Sequence, residues 1–260
     1  MADALVLERR DGVAWLRLNR PDVLNAVSIP LLEALRSALI EIRAEPDLRV
    51  VVITGEGRAF SAGADLSFLK TSDAEPGAFR RFLELFLEVS TTLETFERPV
   101  IAAINGFALA GGLELVCSCD LAIAADTARI GDAHANFGLI PGGGNSVRLP
   151  RLVGLRRAKH LLFTGDFVTA EEAERIGLVN LVVPANQLET ATQDLARHIA
   201  AKSPKSLAAM KALANAALDV DLERGLRTEI DAIVAHLDTD DAKEGLAAFA
   251  EKRTPHFTGR

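Results

Sequence analysis

The sequence predicts an α/β fold in which short, fully apolar strands alternate with amphipathic helices. Three observations carry this prediction. First, Val50-Val51-Val52-Ile53, Val100-Ile101-Ala102-Ala103-Ile104 and Leu121-Ala122-Ile123-Ala124-Ala125 are short runs apolar at every position, the pattern of strands buried on both faces. Second, apolar residues at three- and four-residue spacing fill the intervals between them. Third, the chain has 260 residues, 49% hydrophobic and 25% charged, with a net charge of −7. A globular chain of this length buries roughly three quarters of the surface it exposes when unfolded, enough for one large core without disulfides or metals.

The elements follow in order. Leu5-Val6-Leu7 and Val13-Ala14-Trp15-Leu16-Arg17-Leu18 flank Asp11-Gly12, the signal of a tight hairpin. Ser28 caps a helix with Pro30 in its first turn. Leu31, Leu32, Leu35, Leu39 and Ile42 recur at helical spacing until Ala44-Glu45-Pro46 stops it. Val50 to Ile53, bounded by Gly55 and Gly57, is the next strand. Between Ala78 and Glu97, Phe79, Phe82, Leu83, Phe86, Val89, Leu93 and Phe96 form one helical stripe that ends at Arg98-Pro99. A strand at Val100 to Ile104, a short helix at Gly111 to Cys117 and a strand at Leu121 to Ala125 follow. Thr169-Ala170-Glu171-Glu172 has the form of a capping box. After about Ala185 the chain is Ala-rich and helical, broken at Lys202-Ser203-Pro204-Lys205, with a further amphipathic piece from Leu222. It reads as a packing or assembly element.

Composition narrows the chemistry. There is no Tyr, no Gly-Lys dipeptide and no His-Glu-x-x-His, which excludes a phenolic catalyst, a Walker-type phosphate loop and that zinc motif. The acidic balance opposes nucleic acid, which is bound mainly through clustered Lys and Arg. Arg148, Arg151, Arg156, Arg157 and Lys159 form a basic run, either a solvated face or an anion contact. Cys117 and Cys119 sit in an apolar segment and suit buried residues in a reduced compartment. The most apolar stretch, residues 99–117, is interrupted by Asn105, several glycines and Glu114, so no membrane span is expected. The first ten residues lack a signal or transit pattern, and the expected location is cytoplasmic. No metal site is expected.

Two glycine-containing segments follow apolar runs: Phe60-Ser61-Ala62-Gly63-Ala64-Asp65 and Ala108-Leu109-Ala110-Gly111-Gly112-Leu113-Glu114. If Gly111 opens a helix, its free N–H stands at the positive end of the helix dipole, where a developing oxyanion is stabilised. A second N–H from Ala64 completes a two-donor pocket for an acyl carbonyl. Glu114, three residues on, leans back toward the same mouth. The plainer reading is that the glycines permit tight helix–sheet packing and that Glu114 is a surface carboxylate.

Together these residues resemble the enoyl-CoA hydratase/isomerase, or crotonase, family over most of the chain. The matching motifs are Asn19-Arg20-Pro21 through Leu24-Asn25-Ala26, Phe60 through Leu66, and Arg98 through Gly106. They continue with Gly111-Gly112-Leu113-Glu114-Leu115, Gly138-Leu139-Ile140-Pro141 with the glycine triplet 142–144, Leu162-Phe163-Thr164-Gly165, and Phe249-Ala250-Glu251-Lys252-Arg253. The resemblance implies a crotonase-like spiral of ββα units over residues 1–195 and a C-terminal helical oligomerisation region over 196–260. It implies assembly as a homotrimer or dimer of trimers, and a coenzyme A thioester as substrate with no separate cofactor. By the same resemblance Ala64 and Gly111 supply the oxyanion N–H groups and Glu114 is the first catalytic glutamate. Val23, Leu24, Ala62, Ala64, Asp65, Leu66 and Gly111 contact the ligand, and Phe249 and Lys252 reach the CoA nucleotide across a subunit boundary.

The departures are as informative. His134 stands where hydratases of the family place a second glutamate, within Asp132-Ala133-His134. An imidazolium can replace the missing acid if Asp132 and Glu114 raise its pKa, or His134 lines the acyl pocket and selects substrate. Asp22 replaces a lysine common near the CoA phosphates, and Asn145 after the glycine triplet is a further departure. The expected reaction is addition of water across the 2,3 double bond of an enoyl-CoA, with Glu114 as base and His134 as acid. Double-bond isomerisation, acyl-CoA hydrolysis or C–C cleavage, and non-catalytic acyl-CoA binding are the alternatives. Acyl selectivity is expected from positions between Lys70 and Phe86 and near Asn136-Phe137.

Overall fold

A computed structural model describes residues 3–65 and 77–260. The hairpin forms as expected, with β1 (Leu5–Arg10) antiparallel to β2 (Val13–Leu18). Asp11 and Gly12 both have positive φ, 50° and 77°, the turn geometry whose twist matches that of the flanking strands. Helix α1 (Ile29–Ala44) starts at Ser28, whose side chain accepts from the Leu31 N–H, and buries Leu31, Leu32, Leu35, Leu39 and Ile42. Strands β3 (Val50–Gly55), β5 (Val100–Ile104), β7 (Leu121–Ala125) and β10 (Leu181–Val183) complete a six-stranded sheet in the order β1-β2-β3-β5-β7-β10, parallel from β2 onward.

Strand alternation divides the core of this sheet. Leu16, Val51, Ile53, Ala102, Ile104 and Ala124 face α1 and α2 (Ala78–Thr95). Val13, Trp15, Val50, Val52, Ile101 and Ile123 face the other way, toward Leu188 and Ala196 of α7 (Leu188–Ala200). Trp15 is fully buried, and its Nε1–H donates to Gln193 of α7 at 2.7 Å. Phe82, Phe86, Val89 and Leu93 of the α2 stripe are buried as expected, whereas Phe79, at the start of the helix, is exposed and stacks on Phe82.

A second sheet has no counterpart in the periodicity. Strands β4 (Ala59–Ser61), β6 (Phe107–Leu109), β8 (Arg129–Gly131) and β9 (Val168–Thr169) have three residues or fewer and pair in that order, with β4, β6 and β8 parallel. Helix α3 (Gly111–Val116) leaves β6, and a 3₁₀ turn at His134–Phe137 follows β8. Helices α4 (Asn145–Val153) and α5 (Leu155–Thr164) lead to α6 (Ala170–Arg175). Only half the expected capping box forms: Thr169 Oγ accepts from the Glu172 N–H, but the Glu172 carboxylate turns to Arg175. The stronger charged partner one helical turn along takes it.

The chain ends in α8 (Pro204–Ala216), α9 (Leu222–His236) and α10 (Asp240–Glu251). Neither α8 nor α9 contains a buried residue, although Leu222, Leu226, Ile230 and Ile233 repeat at helical spacing. Among the described residues no helix is long and apolar enough to cross a membrane.

Candidate active site

The parallel strands β4, β6 and β8 lie side by side, so the segments leaving their C-terminal ends meet. These are residues 62–65, Ala110 with α3, and Asp132 to His134. In sheets with parallel strands, ligands bind at that edge.

The first segment is fixed by a strand-like exchange with residues 24–27. Ala62 donates to the Leu24 carbonyl at 3.0 Å, Val27 to Gly63 at 2.7 Å and Asp65 to Val27 at 2.9 Å. Gly63 and Asp65 therefore carry the ladder bonds, which turns the Ala64 N–H to the opposite side. Buried Asn25 anchors the partner segment by donating to the carbonyls of Glu56 and Ala59 and accepting from the Arg20 N–H. Arg20 in turn pairs with the Asp65 carboxylate at 2.9 Å. Leu24 thus stands next to Ala62, with Val23 one residue before it, and Val27 next to Ala64 and Asp65. Leu66 lies outside the described residues, as does the part of the expected acyl region at residues 70–76.

The second segment contains a strained turn. Ala110 has φ 48° and ψ −115°, a conformation a non-glycine residue holds at a cost of about 1–3 kcal/mol. It turns the chain from β6 into α3 so that Gly111 is the first helical residue. A Cβ placed on Gly111 would lie 3.5 Å from the Ala64 nitrogen, so the two N–H groups are neighbours, and neither donates to an acceptor among the described residues. Gly112 is required by packing, because a Cβ there would collide with the Ser61 carbonyl.

Glu114 is only 2% exposed, which corrects the surface-carboxylate reading. Its Oε1 accepts from the Gly143 N–H at 2.7 Å and from the Asn145 N–H at 3.4 Å. The approach of the 142–144 loop is possible only without a side chain, since a Cβ on Gly143 would sit 2.6 Å from Glu114 Oε2 and 2.7 Å from Phe86 Cε1. The same Phe86 carbon stands 3.4 Å from the equivalent point on Gly111, so the ring edge lies between the two. Burial pushes the Glu114 carboxyl above the usual range, even though the His134 charge and the two N–H donors pull the other way. A carboxylate so raised is a better proton acceptor near neutral pH.

His134 Nδ1 lies 3.1 Å from Asp132 Oδ2, with the His134 side chain 14% exposed and Asp132 wholly buried. Burial lowers the imidazole pKa, but the Asp132 hydrogen bond and charge, with Glu114 behind them, more than offset it, so the pKa is raised above the ordinary value. Asn145, unexplained by the sequence, donates its Nδ2 to Asp132 Oδ1 at 2.7 Å. Arg148 is neither a solvated charge nor a free anion contact. It is half-buried, donating to Glu94 at 3.0 Å and to the Gly143 carbonyl at 3.0 Å, which secures the loop over Glu114. Arg151 pairs with Asp219, while Arg156, Arg157 and Lys159 are exposed.

Phe249 and Lys252 are not drawn into this cluster. They stand at the last turn and C-cap of α10, with Phe249 87% exposed. Asn136 is used structurally, its side chain donating to the Gly165 carbonyl, and Phe137 is exposed. Cys117 is buried, and desolvation pushes its thiol far above the usual range, so it is no nucleophile. Among the described residues no His, Cys, Asp and Glu side chains are grouped to hold a metal.

Two neighbouring main-chain donors near a buried carboxylate and a carboxylate-paired histidine suit a site for polarising an acyl carbonyl while protons move nearby. The enoyl-CoA hydratase/isomerase family model matches residues 8–260, and the chain belongs to that family. It is 40% identical over 257 residues to a crotonyl-CoA hydratase of Syntrophomonas wolfei, covering 98% of each chain. It is 39% identical over 250 residues to a short-chain-enoyl-CoA hydratase of Clostridium acetobutylicum, covering 96% of this chain and 95% of that one. The solved enoyl-CoA hydratase of Bacillus anthracis superposes with a TM-score of 0.94 at 39% identity, covering 99% of this chain and 100% of that one. The crotonase-like α/β fold expected from the sequence is therefore the fold of the chain.

Proposed function

We propose that this protein adds water reversibly across the 2,3 double bond of an enoyl-CoA. The observation that carries the reading is the pair of N–H groups of Ala64 and Gly111, neither meeting an acceptor among the described residues, on the segments that carry Asp65 and Glu114. In the proposed reaction the thioester carbonyl oxygen accepts from both N–H groups, drawing electron density from C3. Glu114 takes a proton from water as its oxygen bonds to C3, and the enolate forming at the thioester is stabilised by the two donors. His134 gives its proton to C2, and the proton held by Glu114 returns to the histidine through solvent. Hydroxyl and hydrogen both come from water, so the reaction calls for no redox or metal chemistry. Val23, Leu24, Ala62, Asp65 and Leu66 are assigned to the ligand, Arg20 holding Asp65 in place.

Phe249 and Lys252 are assigned to the CoA nucleotide of a neighbouring copy. Exposure of the apolar stripe on α9, beside a cavity of about 730 Å³ shared with α8, supports assembly of residues 196–260 with other copies around the core of residues 1–195, as a trimer or a pair of trimers. A monomer by light scattering would contradict that assembly. Unpaired cysteines support a cytoplasmic setting, which fractionation of cells would check.

The test of the reaction is Glu114→Gln assayed on crotonyl-CoA. The variant keeps an acceptor for the Gly143 N–H but removes the base, and hydration is expected to fall about 10²–10⁴-fold. Wild-type turnover by the variant would refute the assignment.

A further inference from the structure

We propose that Asn145 is a positioning residue of this site: its side-chain amide clamps the Asp132 carboxylate against which His134 is oriented, while its main-chain N–H helps hold Glu114. The inference rests on the hydration reading for its purpose, but on geometry alone for its claim about His134.

Asn145 opens α4 and is wholly buried. Its Nδ2 lies 2.7 Å from Asp132 Oδ1 and 3.4 Å from the Ala110 carbonyl, and its main-chain N–H 3.4 Å from Glu114 Oε1. Both side-chain contacts are acceptors, so only the N–H end of the amide suits them. Its own Oδ1 has no donor among the described residues. A buried acceptor left unmet is costly, so the amide is kept in an orientation that serves Asp132 at its own expense. Asp132 then has one donor on each oxygen, Asn145 on Oδ1 and His134 on Oδ2. A carboxylate gripped at both oxygens cannot rotate, and the imidazole must present Nδ1–H to it. Nε2 is left as the atom that exchanges the proton. The bond to the Ala110 carbonyl also braces the strained turn that aims the Gly111 N–H.

The charges facing His134 are few. Asp132 comes from the segment after β8 and Glu114 from α3. On α5, which packs against the His134 turn, Arg156, Arg157, Lys159 and His160 are exposed. Arg148 of α4 is engaged by Glu94 and the Gly143 carbonyl. Removing the Asn145 amide therefore acts through the position of Asp132: with Oδ1 no longer held, the carboxylate is free to rotate, and the Oδ2 contact that raises the His134 pKa is weakened.

The test is Asn145→Ala, with Asn145→Gly as a second variant should the first not fold. NMR titration of the His134 imidazole in the ligand-free protein is expected to move its midpoint to lower pH in the variant. Hydration of crotonyl-CoA is expected to lose about tenfold in kcat at about pH 8, where fewer molecules keep the acid protonated, and much less at about pH 6, with KM little changed. An unchanged His134 midpoint, or a loss equal at every pH, would overturn the proposal. Failure of the wild-type protein to hydrate any enoyl-CoA would instead strike the functional reading, while the His134 titration would still decide the role of Asn145.

Discussion

The six-stranded sheet is built largely from strands of five or six residues, and its two faces bury separate apolar clusters under α1, α2 and α7. The four-stranded sheet has strands of two or three residues, yet Ala64, Gly111, Asp132 and His134 all follow its strands. Where the large sheet buries apolar side chains on both faces, the small one ends in donors with no acceptor among the described residues, a strained alanine and a carboxylate whose charge burial disfavours. One part of the molecule stabilises it and the other is poised to meet a ligand, and each can be perturbed alone.

The largest expected effect falls on the large sheet. Trp15→Ala removes a fully buried indole and its bond to Gln193. It should cost about 4 kcal/mol, roughly 10 °C in Tm for a chain of this size, while kcat per folded molecule stays near wild type. Loss of kcat at unchanged Tm would show that the two regions are not separable in this way. Next comes the small sheet. In Gly112→Ala the new Cβ meets the Ser61 carbonyl, forcing α3 and β4 apart and spoiling the spacing of the two N–H groups. A misplacement on the scale of about 1 Å is expected to reduce kcat/KM by about 10²-fold, with a smaller change in Tm than Trp15→Ala. Full activity would mean that this spacing does not matter.

The smallest effect is on pH dependence. Activity needs Glu114 ionised and His134 protonated, and both pKa values are raised. The rising limb of kcat/KM should therefore lie above the ordinary carboxylate range and the falling limb above about 6.5. The same two shifts act on stability in one direction, each lowering it as pH rises. The raised pKa of His134 stabilises the fold below its unfolded pKa, and that contribution is lost as pH rises through the folded value. The raised pKa of Glu114 makes the ionised state a burden that protonation relieves. His134→Gln should remove the falling limb, and its persistence would assign that limb to another group.

The large sheet is legible in the sequence because its strands are long enough to show unbroken apolar runs, and Ser28 and Pro46 bracket α1 by local chemistry alone. The small sheet is invisible to periodicity, since three residues cannot display a repeat. The position of Gly111 and Glu114 on one helix turn follows from spacing. Contacts between distant segments do not. Asn145 reaches Asp132 and Ala110, and Arg148 reaches Glu94 and Gly143, only because α4 folds back over α3. A basic run therefore reads as solvent-facing when its first member is half-buried. The asparagine after three glycines is the available signal: a polar side chain in the one stretch where the backbone comes closest to Glu114.

Incubating the protein with crotonyl-CoA in heavy water, and following the thioester by mass and NMR, separates hydration from isomerisation, thioester hydrolysis and simple binding at once. Hydration gives a product heavier by one water, with one deuterium fixed at C2 and the oxygen at C3. Deuterium at C2 with the double bond moved to C3–C4 and no oxygen gained, release of free CoA, or an unaltered thioester bound to the protein would each contradict it.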